Sequence, residues 1–259
     1  MGYVQDCLSL SRQHLLAGLV SEAEASCRTA IDAAPRNAAA IHLMGIIALR
    51  LGKRREALRL FARAVELDGA NADFHCSRGL VQLGAAEPEA AEASFLQAVD
   101  LAPRHAAAHA GVGRALLAQG RLEEAETSFR SALELRPSLA DAHLGLGQAL
   151  WQMGMGEGAE LCFRQALALR PRQAEASFAL AGLLLVDGRL EEAGRLFAAL
   201  LVAEPTHADA GIGLAWVFER QGRRGDAVAL IAGLRQRLPG HGELAAEHDR
   251  LLRAMGRAA

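Results

Sequence analysis

Six of the seven prolines, Pro35, Pro103, Pro137, Pro171, Pro205 and Pro239, are separated by multiples of 34 residues, and Gly69 takes the one vacant slot. Only Pro88 is out of phase. A fixed period of this length means one supersecondary unit copied along the chain, each copy too small to bury its apolar face alone. The frame cuts the chain into seven 34-residue units, 4–37, 38–71, 72–105, 106–139, 140–173, 174–207 and 208–241, with 242–259 left over.

Other residues keep the same phase. The twentieth position is Ala in every unit: Ala23, Ala57, Ala91, Ala125, Ala159, Ala193 and Ala227. Four residues on come Phe61, Phe95, Phe129, Phe163 and Phe197, with Cys27 and Ile231 in the outer units. The eighth position is small throughout, Gly45, Gly79, Gly113 and Gly147 among them. Gly18, Gly52, Gly120, Gly154, Gly188 and Gly222 mark the fifteenth. Each unit holds two apolar runs at helical spacing, such as Val112, Leu116 and Leu117, then Leu122, Ala125, Phe129 and Leu133, joined by a Gly-containing turn. That spacing predicts a helical hairpin. Pro after the second run restricts its predecessor and is expected to stop that helix.

These residues together resemble the signature of the tetratricopeptide repeat (TPR) family: Leu-Gly, then Ala-x3-Phe, then Pro, in 34 residues. The chain departs from the family at the fourth position, where His75, His109 and His143 stand in place of the usual Trp. The resemblance implies an all-α fold, a right-handed superhelix of seven helical hairpins whose first helices line a concave groove. The segment 242–259 is expected to add a capping helix. In it Leu244, Leu251, Leu252 and Met255 form an apolar stripe, while Glu243, Glu247, Asp249, Arg250 and Arg253 stay polar. In the repeat frame Gly256 falls on the turn glycine, and Asp249 sits where a small packing residue belongs, which favours a natural cap over a truncated array.

Composition narrows the function. Of 259 residues 51% are hydrophobic and 4% aromatic, rich in Ala and Leu, and the net charge is −2, which offers no basic excess for nucleic acid. Lys53 is the sole lysine among 28 basic residues, an arginine bias of the kind a GC-rich bacterial genome produces. Residues 1–20 lack a basic start followed by an apolar run, so no signal peptide is expected. The longest apolar run, residues 178–186, is about half of the roughly 20 residues needed to span a bilayer. A cytoplasmic protein with no membrane insertion is the expectation. Cys7, Cys27, Cys76 and Cys162 show no metal-like spacing. His75, His109 and His143 fall on successive hairpins roughly 8–10 Å apart, too far to share a metal. No nucleophile, phosphate-loop or zinc motif is present, so neither an enzyme nor a cofactor is expected.

The family resemblance also implies which side chains face the groove. Leu144, Gln148, Trp151, Phe178, Ile212 and Trp216 occupy groove-facing positions of three consecutive units and are the candidate partner-binding residues. Gly145, Gly182 and Gly213 beside them are expected to leave room for a ligand. The competing reading packs both tryptophans between neighbouring units. Asp73, Asp141, Glu175 and Asp209 at the second position form an acidic rim or else serve the helix dipole. Neither the Lys and Asn carboxylate clamp nor the Asn ladder of other TPR proteins is present. The expected function is an interaction scaffold or adaptor for protein or peptide partners. The alternative is a substrate-recruiting arm of a glycosyltransferase, methyltransferase or sulfotransferase system. Self-association, the partner's identity and the completeness of the chain stay open.

Overall fold

The structure, a computed structural model, describes residues 2–256, of Met255 the backbone alone. Those residues form fifteen α-helices and no strand. The chain divides into two compact units, Met1–Pro137 and Ser138–Ala259. The first holds α1 (Gly2–Leu16), α2 (Val20–Ala33), α3 (Ala38–Arg50), α4 (Arg54–Leu67), α5 (Ala72–Gly84), α6 (Pro88–Leu101), α7 (Ala106–Ala118) and α8 (Leu122–Leu135). The second holds α9 (Ala140–Gln152), α10 (Gly156–Leu169), α11 (Ala174–Val186), α12 (Leu190–Ala203), α13 (Ala208–Arg220), α14 (Arg224–Arg237) and α15 (Gly242–Gly256). Consecutive helices pair as antiparallel hairpins, and within each unit the hairpins stack on one another.

The in-phase residues explain the hairpin. Each Ala of the twentieth position is wholly buried, because the first and second helices cross over it. A Cβ added to Gly45 would come within 2.6 Å of the Phe61 ring, one at Gly79 or Gly113 within 2.9 Å of Phe95 or Phe129, and one at Gly147 within 2.6 Å of Phe163. The phenylalanine therefore lies on bare backbone of its own hairpin. Phe95 also lies against Gly111 and Phe197 against Gly213, glycines of the following hairpin, so the ring wedges between neighbours as well. Second helices bury only a narrow i, i+4, i+7 stripe, such as Ala125, Phe129 and Ala132 in α8. First helices inside a unit, such as α7 and α11, are sandwiched between two second helices and are buried on two sides. The apolar run of residues 178–186 is accounted for by that position in α11, since Leu180, Ala181, Leu183 and Leu184 are all buried.

The turn glycines have φ between 75° and 77°, left-handed backbone that closes the first helix. In the third hairpin the same place is taken by Ala86 at φ 58°, the one positive-φ residue other than glycine among those described. Pro88 opens α6 at its first position, where a missing N–H costs nothing. The in-phase prolines are not what ends the second helices. Asp68 before Gly69 has φ −147° and ψ 82°, nearly the values of Ala34 before Pro35, −145° and 80°. Packing of the hairpin sets the break, and Pro accommodates it.

Two expectations for the last segment need correction. In α15 Leu244 and Leu251 are buried as expected, but Leu252 is exposed and Glu247 is buried. The Met255 side chain lies outside the described residues. Glu247 turns inward because two donors wait for it there. Acids also open α8 and α12, Glu123 with Glu124 and Glu191 with Glu192, and the second of each pair is held by an arginine. Arg121 donates to Glu124 and reaches back to Glu92 of the preceding hairpin at 2.8 Å, and Arg189 likewise joins Glu192 to Glu160 at 2.7 Å. Those arginine hydrogen bonds hold the Glu124 and Glu192 carboxyls below the usual range.

Two stability changes follow. Gly147→Ala drives a methyl into the Phe163 ring and should lower stability by about 1–2 kcal/mol, overpacking outweighing the better helix propensity of Ala. Ala86→Gly should instead raise it by about 0.5–1 kcal/mol, relief of left-handed strain exceeding the entropy cost of glycine. Urea midpoints of the two variants against the parent protein test both signs.

Candidate functional site

The second unit carries the largest group of exposed apolar side chains at groove positions. A hollow of about 750 Å³ is lined by Trp151 of α9, Phe178, Gly182, Leu185 and Val186 of α11, Ile212 and Trp216 of α13, and Ala246, Glu247 and Arg250 of α15. A second hollow of about 720 Å³ shares Trp151 and Phe178 and adds Gln148, Gln152, Glu175 and Ala179. The structure thus brings together five of the six candidate residues. Leu144 is not among them; it is buried in the helix packing.

Each aromatic is held on at least one side. Trp151 meets Phe163 edge-on, with centroids 6.3 Å apart, and its far edge lies on Gly182, where a Cβ would come within 3.1 Å. Phe178 stacks at 5.6 Å on His207 and meets Phe197 edge-on at 5.8 Å. His207 itself caps α13, its Nδ1 accepting the amide of Ala210 at 3.2 Å. Trp216 donates its indole N–H to Glu247 Oε1 at 2.8 Å. Trp151 nevertheless stays 37% exposed and Trp216 46%. The two readings of these tryptophans are therefore both true in part: each packs against a neighbouring helix with one edge and presents the rest outward.

The expectation about the flanking glycines is met only in part. Space beside Gly182 is filled by Trp151, and a Cβ on Gly213 would lie within 2.5 Å of Phe197. These glycines admit the protein's own rings on one side, and both also line the hollow between successive first helices and α15.

Glu247 was missed by sequence reasoning as a site residue. It accepts from Arg250 at 2.7 and 2.8 Å as well as from Trp216, and Arg250 reaches Glu219 at 2.6 Å. The Arg250 hydrogen bond lowers the Glu247 carboxyl pKa, burial opposes it, and the indole N–H lowers it further, with a net position below the ordinary value. Its register gives a faint signal: Glu247 is 31 residues on from Trp216 and shares α15 with Arg250 three residues later.

The rim acids fall into two sets. Asp73 accepts from His105 Nε2 at 2.9 Å, and Asp141 accepts from Arg170 at 2.6 Å and Gln173 at 3.3 Å, so both clasp the next hairpin's entry. Glu175, Asp209 and Glu243, in the first turns of α11, α13 and α15, are exposed and form no ion pair among the described residues.

Elsewhere the polar groups have structural work. His75 and His109 bond the carbonyls of Gly69 and Pro103 at 3.0 and 2.9 Å, tying each first helix to the turn before it. His42, stacked on Phe74 at 4.6 Å, is pushed down to a pKa of about 4 by burial, with Asp73 opposing and Arg12 assisting. Burial pushes the Cys27 thiol up to about 11 and Cys76 up to about 12, the opposite of a nucleophile. Among the described residues no group of three or more His, Cys, Asp or Glu could hold a metal ion, and no helix is long and apolar enough to cross a membrane.

Three family models for tetratricopeptide repeats match the chain, one at residues 113–154, one at 42–85 and 144–208, and one at 185–248. The chain belongs to the tetratricopeptide repeat family. Solved structures agree. A tetratricopeptide repeat protein from Parabacteroides merdae superposes with a TM-score of 0.71 at 19% identity, covering 97% of this chain and 100% of that one. A thermophilic TPR protein from Thermus thermophilus, TTC0263, gives 0.62 at 26% identity over 70% of this chain and 99% of its own. YrrB, described as a TPR protein with an unusual peptide-binding site, gives 0.57 at 25% identity over 73% and 97%. A comparison with curated proteins finds no match. TPR proteins are in general interaction scaffolds without enzymatic activity.

Glu247 generates a pH prediction. Its folded carboxyl holds a proton less tightly than the unfolded chain's, so its contribution is complete above about pH 4.3 and is lost as pH falls through the lowered folded value. Glu247→Gln, which keeps an acceptor for Trp216 but loses the charge opposite Arg250, should cost about 1–2 kcal/mol at neutral pH. That cost should shrink as the pH is taken down toward about 3. Urea midpoints of both proteins along that range test it; a cost that does not change with pH would contradict the assignment.

Proposed function

We propose that this protein is a non-enzymatic adaptor that holds a peptide or helix of a partner protein against the first helices of its second unit. Trp151, Phe178, Ile212 and Trp216 act as apolar anchors, and Gln148 contributes a polar contact. The observation that carries the reading is the hollow of about 750 Å³ walled by half-exposed aromatics, a size and lining suited to large apolar side chains. Val186, 71% exposed on its wall, adds apolar surface that no helix of the second unit covers. The peptide-binding site of YrrB, a fold relative, supports the same class of partner. Leu144 enters this proposal only as packing beneath the hollow.

A photo-crosslinking phenylalanine analogue placed at Val186, in cells that make the protein, should capture the partner, while the same group at exposed Leu161 of α10 should not. The partner identified by mass spectrometry is then titrated against two variants. Trp151→Ala should weaken binding by roughly 30-fold, the cost of truncating a buried aromatic anchor. Val186→Lys, at an exposed site, should do the same with little change in melting temperature. Unchanged affinity in folded variants would overturn the proposal.

A further inference from the structure

The charge around the hollow is one-sided. Glu175, Asp209 and Glu243 stand one on each of α11, α13 and α15 among the residues that line the two adjoining hollows, exposed and unpaired among the described residues. Arg250 is the only cationic side chain in either lining, and it is held by Glu247 and Glu219. Arg220, at the far end of α13 from Asp209, donates to the Leu185 carbonyl on α11. The two other acids of the series, Asp73 and Asp141, are already engaged by His105 and Arg170. The surface is thus an apolar floor with three uncompensated carboxylates along it.

Resting on the interaction reading above, we propose that the partner segment is amphipathic and basic: large apolar side chains one helical turn apart fill the hollow, and flanking Lys or Arg side chains pair with Glu175, Asp209 and Glu243. A helix whose anchors recur at i, i+3 and i+4 presents that pattern along one side. An acidic or uncharged amphipathic segment would bury the same apolar area without neutralising the rim. The first-turn position of the acids also favours their own helix dipoles, and this does not compete with partner binding, because an exposed carboxylate retains lone pairs for a second cation.

The test uses the full chain and synthetic peptides of about 14 residues that place Leu on one helical face. The other face carries Lys, Gln or Glu. Binding is read from tryptophan emission, since Trp151 and Trp216 both border the hollow. The Leu/Lys peptide should bind about ten-fold tighter than Leu/Gln, the effect of three exposed ion pairs. Leu/Glu should be weaker still, and the difference should fade as salt is raised from about 50 to about 500 mM. A variant with Glu175→Gln, Asp209→Asn and Glu243→Gln should bind all three peptides alike. Equal binding of the three peptides by the parent protein, lost in Val186→Lys, would overturn the basic-partner inference and leave the groove reading standing. A Leu/Lys preference that survives in Val186→Lys would place the peptide elsewhere on the acidic surface and overturn the inference too. Absence of any Leu/Lys binding also overturns it, while the crosslinking experiment decides the groove reading separately.

Discussion

The contact of a phenylalanine ring with bare helix backbone is the interaction on which the rest depends. Phe61, Phe95, Phe129 and Phe163 each lie on a glycine eight places into the same hairpin, and no side chain could stand between them. The wholly buried alanine four residues before each ring lets the helices come close enough for the ring to reach. Close-packed interiors tolerate little volume change, so this pair of requirements fixes both the spacing within a hairpin and the surface offered to the next one. Stacking follows because the ring continues past its own hairpin, as Phe95 does onto Gly111 and Phe197 onto Gly213.

The candidate site is a consequence of that packing. Once a first helix is sandwiched by two second helices, only its remaining edge is open, and a large residue there must stand out toward solvent. Trp151, Phe178 and Trp216 do so, each braced by the adjoining helix. α15 closes one end of the hollow, and its Glu247 takes the indole proton of Trp216 while balanced by Arg250. A buried carboxylate with a cation and a neutral donor fills its acceptor sites, which is the condition for burial.

Electrostatics divide the acidic residues by register. Glu92 and Glu160 on second helices, with Asp73 and Asp141 on first helices, join one hairpin to the next through arginine or histidine. Glu175, Asp209 and Glu243 share the register of Asp73 and Asp141 yet form no such pair among the described residues: Glu204 and Leu238 stand where Arg170 does, and His207, in the register of His105, stacks on Phe178 instead. Identical positions in a repeat therefore carry different chemistry.

The period, the alternation of helix and turn and the residues that pack in every hairpin were legible from the chain alone, because a 34-residue repetition of Ala, Phe and Gly leaves only a stack of helical hairpins that satisfies all copies at once. The backbone of the fifteenth position was legible for the same reason: glycine recurs where φ is positive, and Ala86 marks the exception. What repetition could not convey was anything that happens once. The role of the in-phase prolines was overread, since Asp68 adopts the same geometry before glycine. Room beside Gly182 and Gly213 was overread in part, because a glycine signals a close approach without saying by what, and here Trp151 and Phe197 take one side while the hollow keeps the other. Glu247 looked like a solvated charge on a polar face, and only the docking of α15 against α13 decides that it meets Trp216 and Arg250. Local pattern determines which face of a helix is apolar, but which polar group is buried, and against which partner, depends on groups distant in sequence that the fold brings within hydrogen-bond range.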